Sequence, residues 1–154
     1  DPSNGVPMQV LTDWERIIDV ASVGERSAAT KLAESKKRLE ACVEQAEMLR
    51  RYQREYHSEQ CSGVSQGNNA FALQNLAGFN RQLGKALEQS QAMIANLERD
   101  VAHKLAQWRH QRARVDMFKS MQERVIKERT KQRAYREEVG LEGGFLTKAR
   151  LVEL

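Results

Sequence analysis

Residues 87–115 read L-E-Q-S-Q-A-M-I-A-N-L-E-R-D-V-A-H-K-L-A-Q-W-R-H-Q-R-A-R-V. Leu87, Ile94, Val101, Trp108 and Val115 recur at strict seven-residue intervals, the spacing that keeps one stripe of a slightly underwound helix facing a partner. Leu76, Leu83, Leu97, Phe118 and Val125 interleave with them and extend the stripe in both directions. The stretch contains no proline, so the pattern predicts one long helix over 70–139 with a continuous apolar seam.

Upstream, residues 61–69 read C-S-G-V-S-Q-G-N-N and have no periodicity. Two glycines and a good N-cap in Asn69 mark this segment as a turn. Before it lies a second seam, with alternating spacings of four and three: Trp14, Ile18, Ala21, Glu25, Ala28, Leu32, Ser35, Leu39, Cys42, Ala46, Leu49, Gln53 and Tyr56. Small residues and three polar breaks punctuate it. Thr12 with Glu15 makes a capping box, in which each side chain satisfies a backbone N–H of the first turn, so this helix is expected over 13–60. Both prolines, Pro2 and Pro7, precede it. Residues 1–12 form a leader, of which D-P-S-N-G-V-P reads either as vector-derived, with Met8 the natural start, or as a native disordered tail. Gly140 and the stretch G-L-E-G-G supply a helix stop, leaving 140–154 as a tail.

Two helices joined by a short turn must run antiparallel with their seams facing. The expected fold is therefore all-α: a long antiparallel two-helix coiled-coil hairpin whose second helix is longer than the first. At about 1.5 Å per residue the two helices span about 72 and 105 Å, so helix two overshoots by about 33 Å. An overhang with no partner in the chain needs another contact or frays. Gly24, Gly78 and Gly84 fall inside the helices, where they permit either close helix approach or a kink.

Of the 154 residues 30% are charged and only 6% aromatic, which argues against a large core. No apolar run is long enough to span a bilayer and no secretory signal is present, so a soluble cytosolic protein is expected. Cys42 and Cys61, if on one helix 19 residues apart, would stand about 28 Å apart and could not pair within it, which fits a reducing compartment. No phosphate-binding loop, metal-ligand cluster or nucleophile–base set is present, so neither an enzyme nor a cofactor or metal site is expected; His103 and His110 share a face but lack further ligands.

Charge is unevenly distributed. Residues 104–136 hold eleven basic and three acidic side chains, a local charge of +8 in a chain of net +4. Such a helix can attract nucleic acid, an anionic membrane or an acidic protein surface. The first is disfavoured by the lack of a helix-turn-helix module or a stacking aromatic beside the arginines, the second by the lack of an opposing apolar face. An acidic protein partner remains, alongside a merely solvated basic face. Near the turn, L-R-R-Y-Q-R-E-Y at 49–56 places Leu49 and Tyr56 in the seam but Tyr52 beside it, together with Gln45, and with Phe79 and Ala86 on helix two next to Leu83 and Ser90. These two stripes share one spacing and are wider than a two-helix core needs. They read either as a partner-binding strip or as aromatics that thicken the core.

The stretch 49–56, F-N-R-Q-L-G-K-A-L-E-Q at 79–89 and K-L-A-Q-W-R-H-Q-R at 104–112 resemble the FliJ family, small coiled-coil proteins of the flagellar type III export apparatus. The resemblance covers about residues 11–136. It implies a non-enzymatic stalk that inserts into the hexamer of the export ATPase FliI, contacts the cytoplasmic domain of the export gate protein FlhA and escorts export chaperones, in the cytoplasm at the inner-membrane export apparatus, without nucleic acid and without membrane insertion. The gate-contacting surface would fall on Gln45, Leu49, Tyr52, Tyr56, Phe79, Leu83 and Ala86. Ser90 stands where the family has histidine. The ATPase ring would receive the basic end, with Arg109, Arg112, Arg114, Lys119, Arg124, Lys127 and Arg129 on its surface. A generic self-associating coiled-coil scaffold is the competing reading.

Overall fold

The computed structural model describes residues 8–65, 67 and 69–152. Two helices, α1 (Met8–Ser65) and α2 (Ala70–Val152), make up an antiparallel helical hairpin in which α2 is the longer, 83 residues against 58. No strand occurs among the described residues. By contacts the chain divides into two compact units: unit 1 is built from residues up to Ser27 and from Arg109 onward, and unit 2 runs from Ala28 to Trp108.

The expected seam is the buried stripe of α1. All thirteen of its positions are buried or half-buried, with Ala21, Leu32, Ser35, Cys42 and Ala46 the most enclosed. The ten apolar positions expected on α2 are likewise removed from solvent, Leu83 and Val115 most completely. In unit 2 the register is pinned by polar contacts. Ser35 Oγ donates to Asp100 Oδ2, Cys42 Sγ donates to the Ser90 carbonyl at 3.9 Å, and Asn80 Nδ2 donates to Gln60 Oε1 at 3.0 Å. In unit 1 a Cβ placed on Gly24 would stand 3.1 Å from Gln111 Oε1, so α1 and α2 approach closely there. A Cβ at Gly78 or Gly84 would meet its neighbours at 3.9 and 3.8 Å, an ordinary contact. Of Gly24, Gly78 and Gly84, only Gly24 marks a tight approach.

The helix ends depart from expectation in three places. First, α1 starts at Met8 rather than near Asp13, because the Thr12 hydroxyl is not a cap: Oγ1 donates to the Met8 carbonyl at 2.8 Å, the back-bond of a threonine already inside a helix. Second, α1 runs on to Ser65 instead of ending at residue 60. Gln60 and Gly63 continue the four-three spacing of the seam and are half-buried and buried, so packing holds a glycine helical against a local cost of about 1 kcal/mol. The connection shrinks from 61–69 to 66–69, and Gly67 turns it with φ +70, a conformation that costs glycine nothing. Third, α2 does not stop at residue 139 but continues through Gly140, Gly143 and Gly144 to Val152. A glycine stop requires a left-handed residue, and Gly67 is the one glycine with positive φ among the described residues; strong helix formers such as Leu141, Glu142 and Lys148 carry the helix across. Asn69 caps α2 as expected, its Oδ1 accepting from Phe71 N at 3.0 Å and its carbonyl from Leu73 N at 3.1 Å. Residues 1–7, the expected leader, lie outside the described residues.

In unit 1 every residue from Lys127 to Gly144 is exposed, so this part of α2 has no covering helix.

Two measurements test the seam. Ala46 has no exposed surface, and Ala46→Leu should lower stability by about 1–3 kcal/mol through overpacking, whereas Val20→Ala, at a position 72% exposed, should change it by less than about 0.5 kcal/mol in circular-dichroism melts. Asp100→Leu should strand the buried Ser35 hydroxyl at a cost of about 1–3 kcal/mol, and adding Ser35→Ala should recover most of it, because losing both partners of a hydrogen bond is cheaper than losing one.

Candidate partner-binding surfaces

Unit 2 carries the aromatic strip. The heptad register puts Gln45 and Tyr52 of α1 and Phe79 and Ala86 of α2 on one flank of the helix pair. The structure places them accordingly: Gln45 is exposed, Tyr52 is 41% and Phe79 42% exposed, and Ala86 is half-buried. Leu49 and Tyr56 are half-buried seam residues beneath them. Phe79 and Tyr56 meet edge to face, with ring centroids 4.8 Å apart and planes at 82°, an arrangement that fixes both rings. The contact ties Phe79 to the seam while leaving it 42% exposed. Leu83 is the member that sits apart. It is 8% exposed and lies in the seam beneath the strip. Ser90 is half-buried with its carbonyl accepting from Cys42, so it too is part of the helix pairing.

Two residues enlarge this surface beyond the sequence reading. Met93 is 58% exposed and lies seven residues after Ala86, on the same flank; Met48 is 48% exposed one turn before Tyr52. The register that singled out Phe79 and Ala86 also reaches Met93, and the clue was present in the spacing. Met48 sits one position further round the helix, where an apolar residue leaves no trace in a seam pattern. Flexible thioethers beside fixed rings make a surface that adapts at its margin.

Unit 1 carries the basic surface. Arg109, Arg112, Arg114, Lys119, Arg124, Lys127 and Arg129 are all exposed on α2. Among the described residues few of these charges are paired. Arg112 Nε stands 3.7 Å from Asp116 Oδ2 with both side chains more than half exposed, a pair worth about 0.3–0.5 kcal/mol. Arg114 lies over the Phe118 ring, 5.6 Å from its centroid, which orients the guanidinium without neutralising it. Arg124, Lys127 and Lys131 line a shallow groove with Ser120, Glu123 and Glu128. One expectation fails here. Aromatic side chains do lie beside the arginines, since Phe118 sits under Arg114 and Tyr135, between Arg133 and Arg136, is 69% exposed.

No group of three or more His, Cys, Asp or Glu side chains is placed to hold a metal ion among the described residues, and His103 and His110 are both exposed. None of the helices, over the described residues, is long and apolar enough to cross a membrane.

Comparison with curated proteins and with solved structures finds no match to either. The family model described as flagellar FliJ protein matches residues 13–139, most of the 154-residue chain and a span that contains both surfaces. With that match over a two-helix hairpin, the chain belongs to the flagellar FliJ protein family.

Proposed function

We propose that this flagellar export-associated protein acts without catalysis, as a stalk whose basic surface docks in the ring of the export ATPase FliI and whose aromatic strip meets the cytoplasmic domain of the export gate protein FlhA. The single observation that carries the reading is the pairing of a fixed, half-exposed Tyr56–Phe79 centre with exposed Tyr52 in unit 2. Aromatic groups held rigid and partly dry lose little entropy on binding, which is what a central interface anchor requires. The basic surface fits a different mode of contact. Exposed, weakly paired cations attract an acidic wall over a Debye length without demanding one register. A stalk surrounded by several copies of one ring subunit cannot match all of them at once, so attraction without register suits it. Export chaperones are further proposed partners, and the site of action is the cytoplasmic face of the export apparatus.

Self-association as a scaffold is the weaker reading. Beyond Val125 the seam positions of α2 up to Gly144 are Arg129, Gln132, Arg136, Val139 and Gly143, of which Val139 is apolar. A second copy zipped along them would bury like charges.

Tyr52→Ala combined with Phe79→Ala should abolish capture of the FlhA cytoplasmic domain in a pull-down while far-UV circular dichroism keeps its helical amplitude; equal loss of binding and helicity would return these rings to the core. Reversing Arg112, Arg124 and Lys127 to Glu should weaken association with the FliI ring at least tenfold at low salt and flatten its ionic-strength dependence, with FlhA binding unchanged. Tight, steeply salt-dependent binding of duplex DNA by the unmodified protein, lost in the same charge reversal, would instead make the basic surface a nucleic-acid site.

A further inference from the structure

His57 and Cys61 belong to neither surface. Both are exposed, one turn apart on α1, with Cys61 Sγ 3.8 Å from His57 Nε2. In the heptad register they fall on the flank away from Gln45 and Tyr52. An imidazole nitrogen and a thiolate sulfur are the donors that a tetrahedral Zn²⁺ ion takes. With Zn–S of about 2.3 Å and Zn–N of about 2.0–2.1 Å, two donors on one tetrahedral centre stand about 3.5 Å apart. The observed separation is close to that bite, and a small rotation of either exposed side chain closes the difference. Cys42, the other thiol, is buried in the seam and out of reach.

Among the described residues no third donor joins this pair. Two ligands fill half of a tetrahedral shell. We propose that His57 and Cys61 form a half-site for a thiophilic divalent cation such as Zn²⁺, completed by the same two residues of a second copy of the chain. Each Cys61 enters as thiolate and releases one proton to solvent, each His57 binds through neutral Nε2, and the ion gives up waters for the four donors with no change in oxidation state. Exposed Arg54 lies one turn before His57. Two copies joined here bring these like charges together, which opposes association until the cation is present.

The test uses the full chain under a phosphine reductant. Co²⁺ should develop tetrahedral d–d bands and a sulfur-to-cobalt charge-transfer band that saturate at one ion per two chains. Zn²⁺ should double the sedimenting mass, and EDTA should reverse the change. His57→Ala and Cys61→Ser should each abolish the bands and the doubling, while Cys42→Ser, whose thiol is buried, should keep both if helicity is retained. The proposal is overturned by any of three results in the unmodified protein: no charge-transfer band, one ion bound per chain without a change in mass, or a dimer that EDTA does not dissolve. Zn²⁺-dependent doubling that survives His57→Ala overturns it as well.

Discussion

The hairpin depends on an unequal seam. On α1, Ala21, Ala28, Ser35 and Cys42 recur at seven-residue spacing and are all small; on α2 the strict heptad is Leu87, Ile94, Val101, Trp108 and Val115. The bonds of Ser35 to Asp100 and Cys42 to Ser90 set an antiparallel register that brings Cys42 level with Ile94, Ser35 with Val101 and Ala28 with Trp108. Large side chains against small ones let two helix backbones come close, so that a pair of helices with few aromatics still excludes water from a continuous stripe. Stability is spread along the seam. Leu32, Leu83 and Val115 are the large apolar residues enclosed to below a tenth of their surface among those described, and the other seam positions are half-buried. Each contributes a fraction of the 1.5–3 kcal/mol that a fully buried side chain supplies.

A thin core has a direct consequence for function. With only two helices, residues one position off the seam are never fully covered, and whatever occupies them faces solvent. In unit 2 those flanking positions hold Tyr52, Phe79 and Met93 where charge would serve solubility better. An aromatic there is costly to leave in water and profitable to cover, so its presence at matching positions of both helices argues for a partner. The Tyr56–Phe79 contact ties that flank to the seam, since one ring belongs to the core stripe and the other to the surface. In the reading proposed, the packing that holds the helices together also presets the docking geometry.

Much of this was legible in the residues alone, and the misses share a cause. Side-chain periodicity located the helices, their pairing face and the flank that carries Tyr52 and Phe79, because burial imposes a spacing on the sequence. Helix ends are decided by single backbone groups and carry no such repeat. Thr12 with Glu15 has the composition of a cap, yet its hydroxyl bonds backward to Met8; Gly63 has the composition of a turn, yet it is buried in the seam. Asn69 was readable as a cap because the residues before it lack periodicity and those after it regain it. Gly140, Gly143 and Gly144 misled for a related reason: a glycine permits a stop but does not compel one. Met48 escaped because a residue off both seam and flank is invisible to a heptad.

The stretch of α2 without a covering helix makes the opposite use of the same rules. From Lys127 to Gly144 every residue is exposed, and the positions where the seam would continue hold Arg129, Gln132, Arg136, Val139 and Gly143. A sequence meant to receive another helix of its own kind would keep its apolar knobs there. This one keeps a single apolar residue, Val139, and fills the other places with arginine, glutamine and glycine, the helix being held in part by neighbours such as Arg133 and Glu137, whose side chains meet at 3.2 Å. Knobs demand a single depth and rotation, because each must find its hole; a charged cylinder is attracted to an oppositely charged wall at many depths and rotations with similar energy. In the reading proposed, the thinning of the heptad after Val125 divides contact that must hold position from contact that must tolerate movement. On that reading, a stalk serving a ring needs both.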